Sequence, residues 1–168
     1  MGGGRARPFI IVAPGLAKPG SVCNRTVDYM SVYPTVCELC QAPKPAHVQG
    51  LSLLPLLANP TAAWDRPAVT THSQNNNTVR SERWRYIRYA DGSEELYDEL
   101  ADRNEWANLA TDPHYAPIKA GLATWLPTSY AAPAPGSAER TLTYANGIAC
   151  WEGRDIPTGA PVPGLDQD

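Results

Sequence analysis

Proline occupies 17 and glycine 13 of the 168 positions, and this spacing limits how long any regular element of the chain can be. Proline lacks a backbone N–H and fixes φ, while glycine favours turns, so helices and strands must be short and joined by well-defined bends. The expected fold class is therefore α+β with much loop. At this length one domain can still bury a real hydrophobic core. Acidic residues outnumber basic ones, 17 to 14, giving a formal charge of -3. That balance argues against a nucleic-acid or anionic-membrane partner, since both reward a clustered positive surface.

No stretch approaches the roughly 20 apolar residues a membrane-spanning helix needs, and Phe9–Val12 is too short for a signal-peptide core. No export address is legible, and the compartment stays open. Cys23, Cys37, Cys40 and Cys150 are too few and too irregular for a disulfide framework. Asn24-Arg25-Thr26 and Asn76-Asn77-Thr78 fit the N-glycosylation pattern, which carries no weight without a secretory context.

Beyond a mobile Met1–Arg7, the run Phe9-Ile10-Ile11-Val12 is apolar and β-branched and stops at Pro14-Gly15. Such a run reads as a strand buried on both faces, yet nothing upstream offers it neighbours. Tyr29, Val32, Tyr33, Val36 and Cys40 then recur at helical spacing, predicting a helix from Val32 to about Cys40 with Ser31 as N-cap and Pro34 in its first turn. Leu51–Leu57 predicts an apolar turn packed on that helix.

Farther along, the period changes to two. Ala68–Thr71, a segment starting at Val79-Arg80, Arg83–Tyr89 and Glu94–Tyr97 predict a small antiparallel sheet, with Asp91-Gly92 as a tight turn. Ile118, Leu122 and Trp125 fall at helical spacing and predict a covering helix stopped by Pro127. In the Pro-rich tail, Thr141–Tyr144 and Ile148–Trp151 flank Asn146-Gly147, a second hairpin signal. The expected segments are 1–58, 59–127 and 128–168.

Chemistry is sparse. Cys37 and Cys40 could form a redox pair, or half a zinc site completed by His47 and one further ligand. At i and i+3 on an amphipathic helix, however, small residues more often simply pack. Arg83–Tyr89 interleaves basic and aromatic residues as single-strand nucleic-acid binders do. The net negative charge favours the alternative, a strand whose arginine stems lie over aromatic rings. His72 and the polar run Ser73–Asn77 follow a strand directly, a position where rigid scaffolds often present ligand contacts. Asn and Gln offer both donors and acceptors, suited to hydroxyl-rich sugars, although asparagine is also a common turn residue. His47 and His114 read as surface positions. No nucleophile elbow, zinc-helix motif or phosphate-cradling glycine loop is present, so no catalytic or metal-binding residue can be named.

Six segments in order resemble the C-terminal third of sulfatases of the iduronate-2-sulfatase-like kind. They are Arg7–Gly15, Tyr33-Pro34-Thr35 with Glu38-Leu39-Cys40, Gly50–Leu57, Trp64–Ala68, Val79-Arg80 with Arg83–Ile87, and Glu95–Asp98 with Asp102, Glu105, Asn108 and Leu109. Ser31 stands where the family usually has Asp, Gln41 where a helix-ending Gly is usual, and Arg103 where Pro is usual.

The resemblance implies the C-terminal part of an alkaline-phosphatase-like fold, with 1–58 as the end of the sulfatase catalytic domain, 59–127 as a C-terminal antiparallel-sheet subdomain with its covering helix, and 128–168 as a Pro-rich tail with a hairpin. It implies a formylglycine nucleophile and a calcium ion in the complete enzyme, both upstream, since no cysteine here is followed by x-Pro-x-Arg. The implied partners are an N-terminal sulfatase domain and a sulfated saccharide. The resemblance also implies that the loop with His72, Gln74, Asn75, Asn76, Asn77 and Arg80 approaches the substrate. The chain then reads as a fragment, inactive alone; a stand-alone, non-catalytic saccharide-binding module is the alternative.

Overall fold

The structure is a computed structural model that describes residues 8–132, 142–145, 147–151 and 154–159. The expectations for Met1–Arg7, Pro133–Thr141 and Asn146 fall outside the described residues. The chain forms two compact units, Met1–Thr128 and Ser129–Asp168.

The first unit opens with a departure from expectation. Phe9–Val12 joins no sheet among the described residues, and Phe9, Ile10 and Val12 are exposed. A strand is completed by its neighbours, and the described chain supplies none for this run.

A 3-10 turn, Tyr29–Ser31, leads directly into helix α1, Val32–Leu39. Pro34 sits in the first turn as expected, but Ser31 does not cap with its side chain. The preceding turn already runs helically, so the Val32 N–H bonds the Tyr29 carbonyl and no cap is needed. Ser31 Oγ is left buried without a partner.

The buried face of α1 is also the reverse of the one its apolar residues predict. Ser31, Pro34, Thr35 and Cys37 face inward, while Tyr29, Tyr33, Val36 and Cys40 face solvent. Thr35 explains the inversion. Its hydroxyl donates to the Ser31 carbonyl at 2.5 Å and accepts the Leu53 N–H at 2.8 Å, fastening α1 to helix α2, Leu54–Ala58. Leu53 and Leu56 are buried in that contact, so the expected packing of Leu51–Leu57 is observed. Gly50 permits it, because a Cβ there would lie 1.7 Å from the Met30 carbonyl oxygen.

Strands β1 (Ala68–Thr71), β2 (Asn77–Arg80), β3 (Trp84–Arg88) and β4 (Glu94–Asp98) form an antiparallel meander in sequence order. Strand β2 starts two residues earlier than expected, which moves Asn77 from loop into sheet. The register places Val69, Val79, Tyr86 and Leu96 side by side on one face. That face is the core. A 3-10 turn, Pro113–Tyr115, precedes helix α3, Ala116–Ala123, which brings Leu122 and then Leu126 onto the sheet. Trp125, expected inside, is exposed. The helix ends at Ala123, and tighter three-residue turns place Leu126 inward instead.

The β3–β4 connection is a five-residue loop rather than a two-residue turn. Arg88 and Glu94 are the last pair, and only Gly92 of Asp91-Gly92 has positive φ. The second unit contains the expected hairpin, β5 (Leu142–Ala145) and β6 (Ile148–Trp151), extended by β7 (Arg154–Ile156) into a three-stranded meander.

Candidate functional site

The sheet brings two hairpin tips to one end. Thr71 pairs with Asn77, Asn77 with Arg88, and Arg88 with Glu94, so residues 72–76 and 89–93 share that edge. Asn76 joins them. Its Oδ1 accepts the Ala90 N–H at 3.2 Å, and its Nδ2 donates to the Gln74 carbonyl at 3.3 Å. The His72 N–H closes the tip on the Asn76 carbonyl at 2.9 Å. Ser73 and Asn75 take left-handed backbone, φ 59° and 64°, a conformation asparagine adopts at low cost.

This geometry divides the six residues singled out from sequence. His72, Gln74 and Asn75 are exposed. Asn76 is half-buried and shapes the loop. Asn77 is 2% exposed and accepts the Thr71 hydroxyl at 2.8 Å, so it belongs to the sheet. Arg80 is paired with Glu99 at 2.7 Å. The exposed edge therefore presents the neutral hydrogen-bonding groups of the 72–76 tip and one imidazole beside the Asp91 carboxylate of the neighbouring tip, an array of donors and acceptors suited to hydroxyls.

The remaining constellations resolve as structure. Cys37 is buried and Cys40 exposed, and both are free thiols. Cys37 instead lines a groove of about 330 Å³ between α1 and residues 42–52. Among the described residues no cluster of three or more His, Cys, Asp or Glu is disposed to hold a metal. Arg83 lies 4.8 Å over the Trp84 ring and bonds Asp98 at 2.6 Å; Arg85 meets both oxygens of Glu105 at 2.7 and 2.6 Å. The basic-aromatic strand thus spends these guanidinium groups on carboxylates, as the packing alternative requires. Among the described residues no helix is long and apolar enough to cross a membrane.

At the rim of the core face, Glu94 receives the Tyr86 hydroxyl on one oxygen and Lys119 Nζ on the other, the latter at 2.7 Å. Lys119 also donates to the Ala110 carbonyl at 3.1 Å. Lys119 and then Tyr86 hold the Glu94 carboxyl below its usual range, while burial and then Glu94 push the Tyr86 phenol up. Sequence reading missed this link between β3, β4 and α3. A charged residue facing the sheet from the helical period of Ile118 and Leu122 was its only signal.

A family model described as N-sulphoglucosamine sulphohydrolase, C-terminal, matches residues 4–131. The chain belongs to the sulfatase family. Its match is to a C-terminal domain, as the resemblance implied. A Formosa agariphila protein named sulfatase is 36% identical over 105 residues, covering 62% of this chain and 20% of the relative. A Delta 4,5-hexuronate-2-O-sulfatase of Bacteroides thetaiotaomicron is 34% identical over 124 residues, covering 67% and 26%. A solved structure described as a 2-O GAG sulfatase is 32% identical with a TM-score of 0.43, covering 54% of this chain and 22% of that one. The chain thus spans about a fifth to a quarter of the curated relatives it matches.

Proposed function

We propose that this chain is the C-terminal portion of a sulfuric ester hydrolase acting on sulfated saccharides, of the iduronate-2-sulfatase-like kind and inactive by itself. The family match over residues 4–131 carries the reading. The name of one relative, a Delta 4,5-hexuronate-2-O-sulfatase, supports a sulfated uronic acid saccharide as the substrate class. In this reading an N-terminal domain with the alkaline-phosphatase-like fold supplies the formylglycine. The described residues do not fit calcium, since they offer no ligand cluster, and the ion is assigned to that same domain. The role left to this chain is positional. The exposed edge of His72, Gln74 and Asn75, held in shape by Asn76, contacts saccharide hydroxyls beside the reacting ester.

The test is sulfate release, followed by ion chromatography, from a 2-O-sulfated hexuronate disaccharide. The purified chain alone is expected to release none, and turnover would overturn the assignment of chemistry to an N-terminal domain. In parallel, the disaccharide is titrated into isotope-labelled chain. Tight binding, with shifts confined to His72–Asn76, would favour the stand-alone saccharide-binding module over the fragment.

A further inference from the structure

Strand β4 is the outer strand of its sheet, and the chain returns along that edge. Asn108 Oδ1 accepts the Leu96 N–H at 3.0 Å, Asn108 Nδ2 donates to the Glu94 carbonyl at 3.1 Å, and the Leu109 N–H bonds the Leu96 carbonyl at 2.8 Å. The loop that makes this return is pinned on either side of one residue. Before it, Glu105 holds left-handed backbone, with its carboxylate on Arg85 and its N–H on the Asp102 carbonyl at 3.1 Å. After it, the Ala107 N–H bonds Asp102 Oδ2 at 2.9 Å. The residue between is Trp106, which is 85% exposed.

A lone apolar side chain at a surface is ordinary, but Trp106 differs in its mounting and its neighbours. Backbone fixed on both sides lowers the entropy lost when a ligand orders the indole. Arg103 and Asn104 are exposed too, and neither side chain has a hydrogen-bond or ion-pair partner among the described residues. The nearby carboxylates are engaged: Asp98 with Arg83, Glu99 with Arg80, Glu105 with Arg85, and Asp102 with the Ala107 N–H. Arg103 also stands where the resembled pattern has Pro, so this cation is the chain's own departure. A flat apolar ring, a guanidinium and a carboxamide match a sulfated sugar, whose C–H face stacks on indole, whose sulfate pairs with guanidinium and whose hydroxyls take the amide. Resting on the sulfatase reading for the class of saccharide, we propose that Trp106, Arg103 and Asn104 form a second saccharide-holding site, apart from the one at the hairpin tips. Two strand spacings, about 10 Å, separate β2, which carries the 72–76 tip, from β4, so the two sites hold different sugar units.

The experiment titrates the isotope-labelled full chain with a tetrasaccharide carrying 2-O-sulfated hexuronate, with its desulfated counterpart, and with inorganic sulfate. The readout is the Trp106 indole signal and the Asn104 and Ala107 backbone amides. These are expected to shift with the sulfated tetrasaccharide, and W106A is expected to weaken that binding about tenfold while the β1–β4 amides keep their parent positions. R103Q is expected to erase the preference for the sulfated over the desulfated form; where W106A disturbs the sheet, this comparison decides. Absence of shifts at Asn104–Ala107, or shifts undiminished by both substitutions, would overturn the proposal. So would an equal response to inorganic sulfate, since a bare anion makes no use of the indole. Shifts at His72–Asn76 with none at Asn104–Ala107 would overturn this second site and leave the functional reading standing; shifts at Asn104–Ala107 with a silent 72–76 tip would do the reverse.

Discussion

Arg85 and Glu105 form the most buried ion pair among the described residues, with side-chain exposures of 15% and 6%. Glu105 holds a left-handed backbone, φ 56°, which a non-glycine residue adopts only when its surroundings over-determine it. Arg85→Met keeps most of the aliphatic stem but leaves the Glu105 carboxylate buried opposite a neutral side chain. Breaking a buried pair on one side costs about 3–5 kcal/mol. Since Arg85 keeps some solvent contact, the low end applies, about 3 kcal/mol, or about a hundredfold in the folding equilibrium. Replacing both partners removes both charges from the site, so R85M/E105M is expected to recover to within about 1 kcal/mol of the parent. Urea unfolding followed by circular dichroism measures all three variants. If R85M lies within about 1 kcal/mol of the parent, the pair is solvated in practice and the reasoning fails.

Four further outcomes follow. The Glu94 and Asp98 carboxyls are held below their usual range, by Lys119 and by Arg83 respectively, so the unfolded chain binds more protons than the folded one. Stability is therefore fully present above about pH 5 and falls as pH drops through the depressed values; K119M should flatten part of that fall in acid-unfolding curves. Tyr86 is shifted the other way, so its contribution is intact below about pH 10 and declines above it, and Y86F should lessen the alkaline loss measured by the same method. Gly50→Ala should cost about 3 kcal/mol in urea unfolding, because the Cβ meets the Met30 backbone and cannot be accommodated by a rotamer change. Gln41, at φ 53°, closes α1 where glycine is usual, with the Ala42 N–H on the Cys37 carbonyl at 2.8 Å, so Gln41→Gly should stabilise by about 1 kcal/mol.

The sheet was legible because its alternation is set by burial on one face, which Val79, Tyr86 and Leu96 display without ambiguity. The hairpin of the second unit was legible from its turn signal, of which the described part is Gly147 at φ 77° between the paired Ala145 and Ile148. Helix α1 was found with the wrong face inward. Periodicity locates an apolar stripe but does not say whether the cover for that stripe lies in the same chain, and here Thr35 anchors the opposite side. The strand expected at Phe9–Val12 failed similarly, since strand composition without a neighbour gives exposed backbone. Of the candidate site, the location was readable from polar residues following a strand. The separation of Asn77 and Arg80 from His72, Gln74 and Asn75 was not, because it depends on a register that assigns Asn77 to Arg88 and leaves Arg80 beside Glu99.

The amide of Asn76 has a consequence for testing the proposed saccharide contact. One side chain fastens the 72–76 tip to the backbone of the neighbouring 89–93 tip, so the contour of either depends on the length of the other. Transplanting residues 72–77 from a relative with different substrates would carry the donors and acceptors but not the surface on which they rest. The exchangeable module is the pair of tips, and lengthening the second by one residue would redirect the first without touching its sequence.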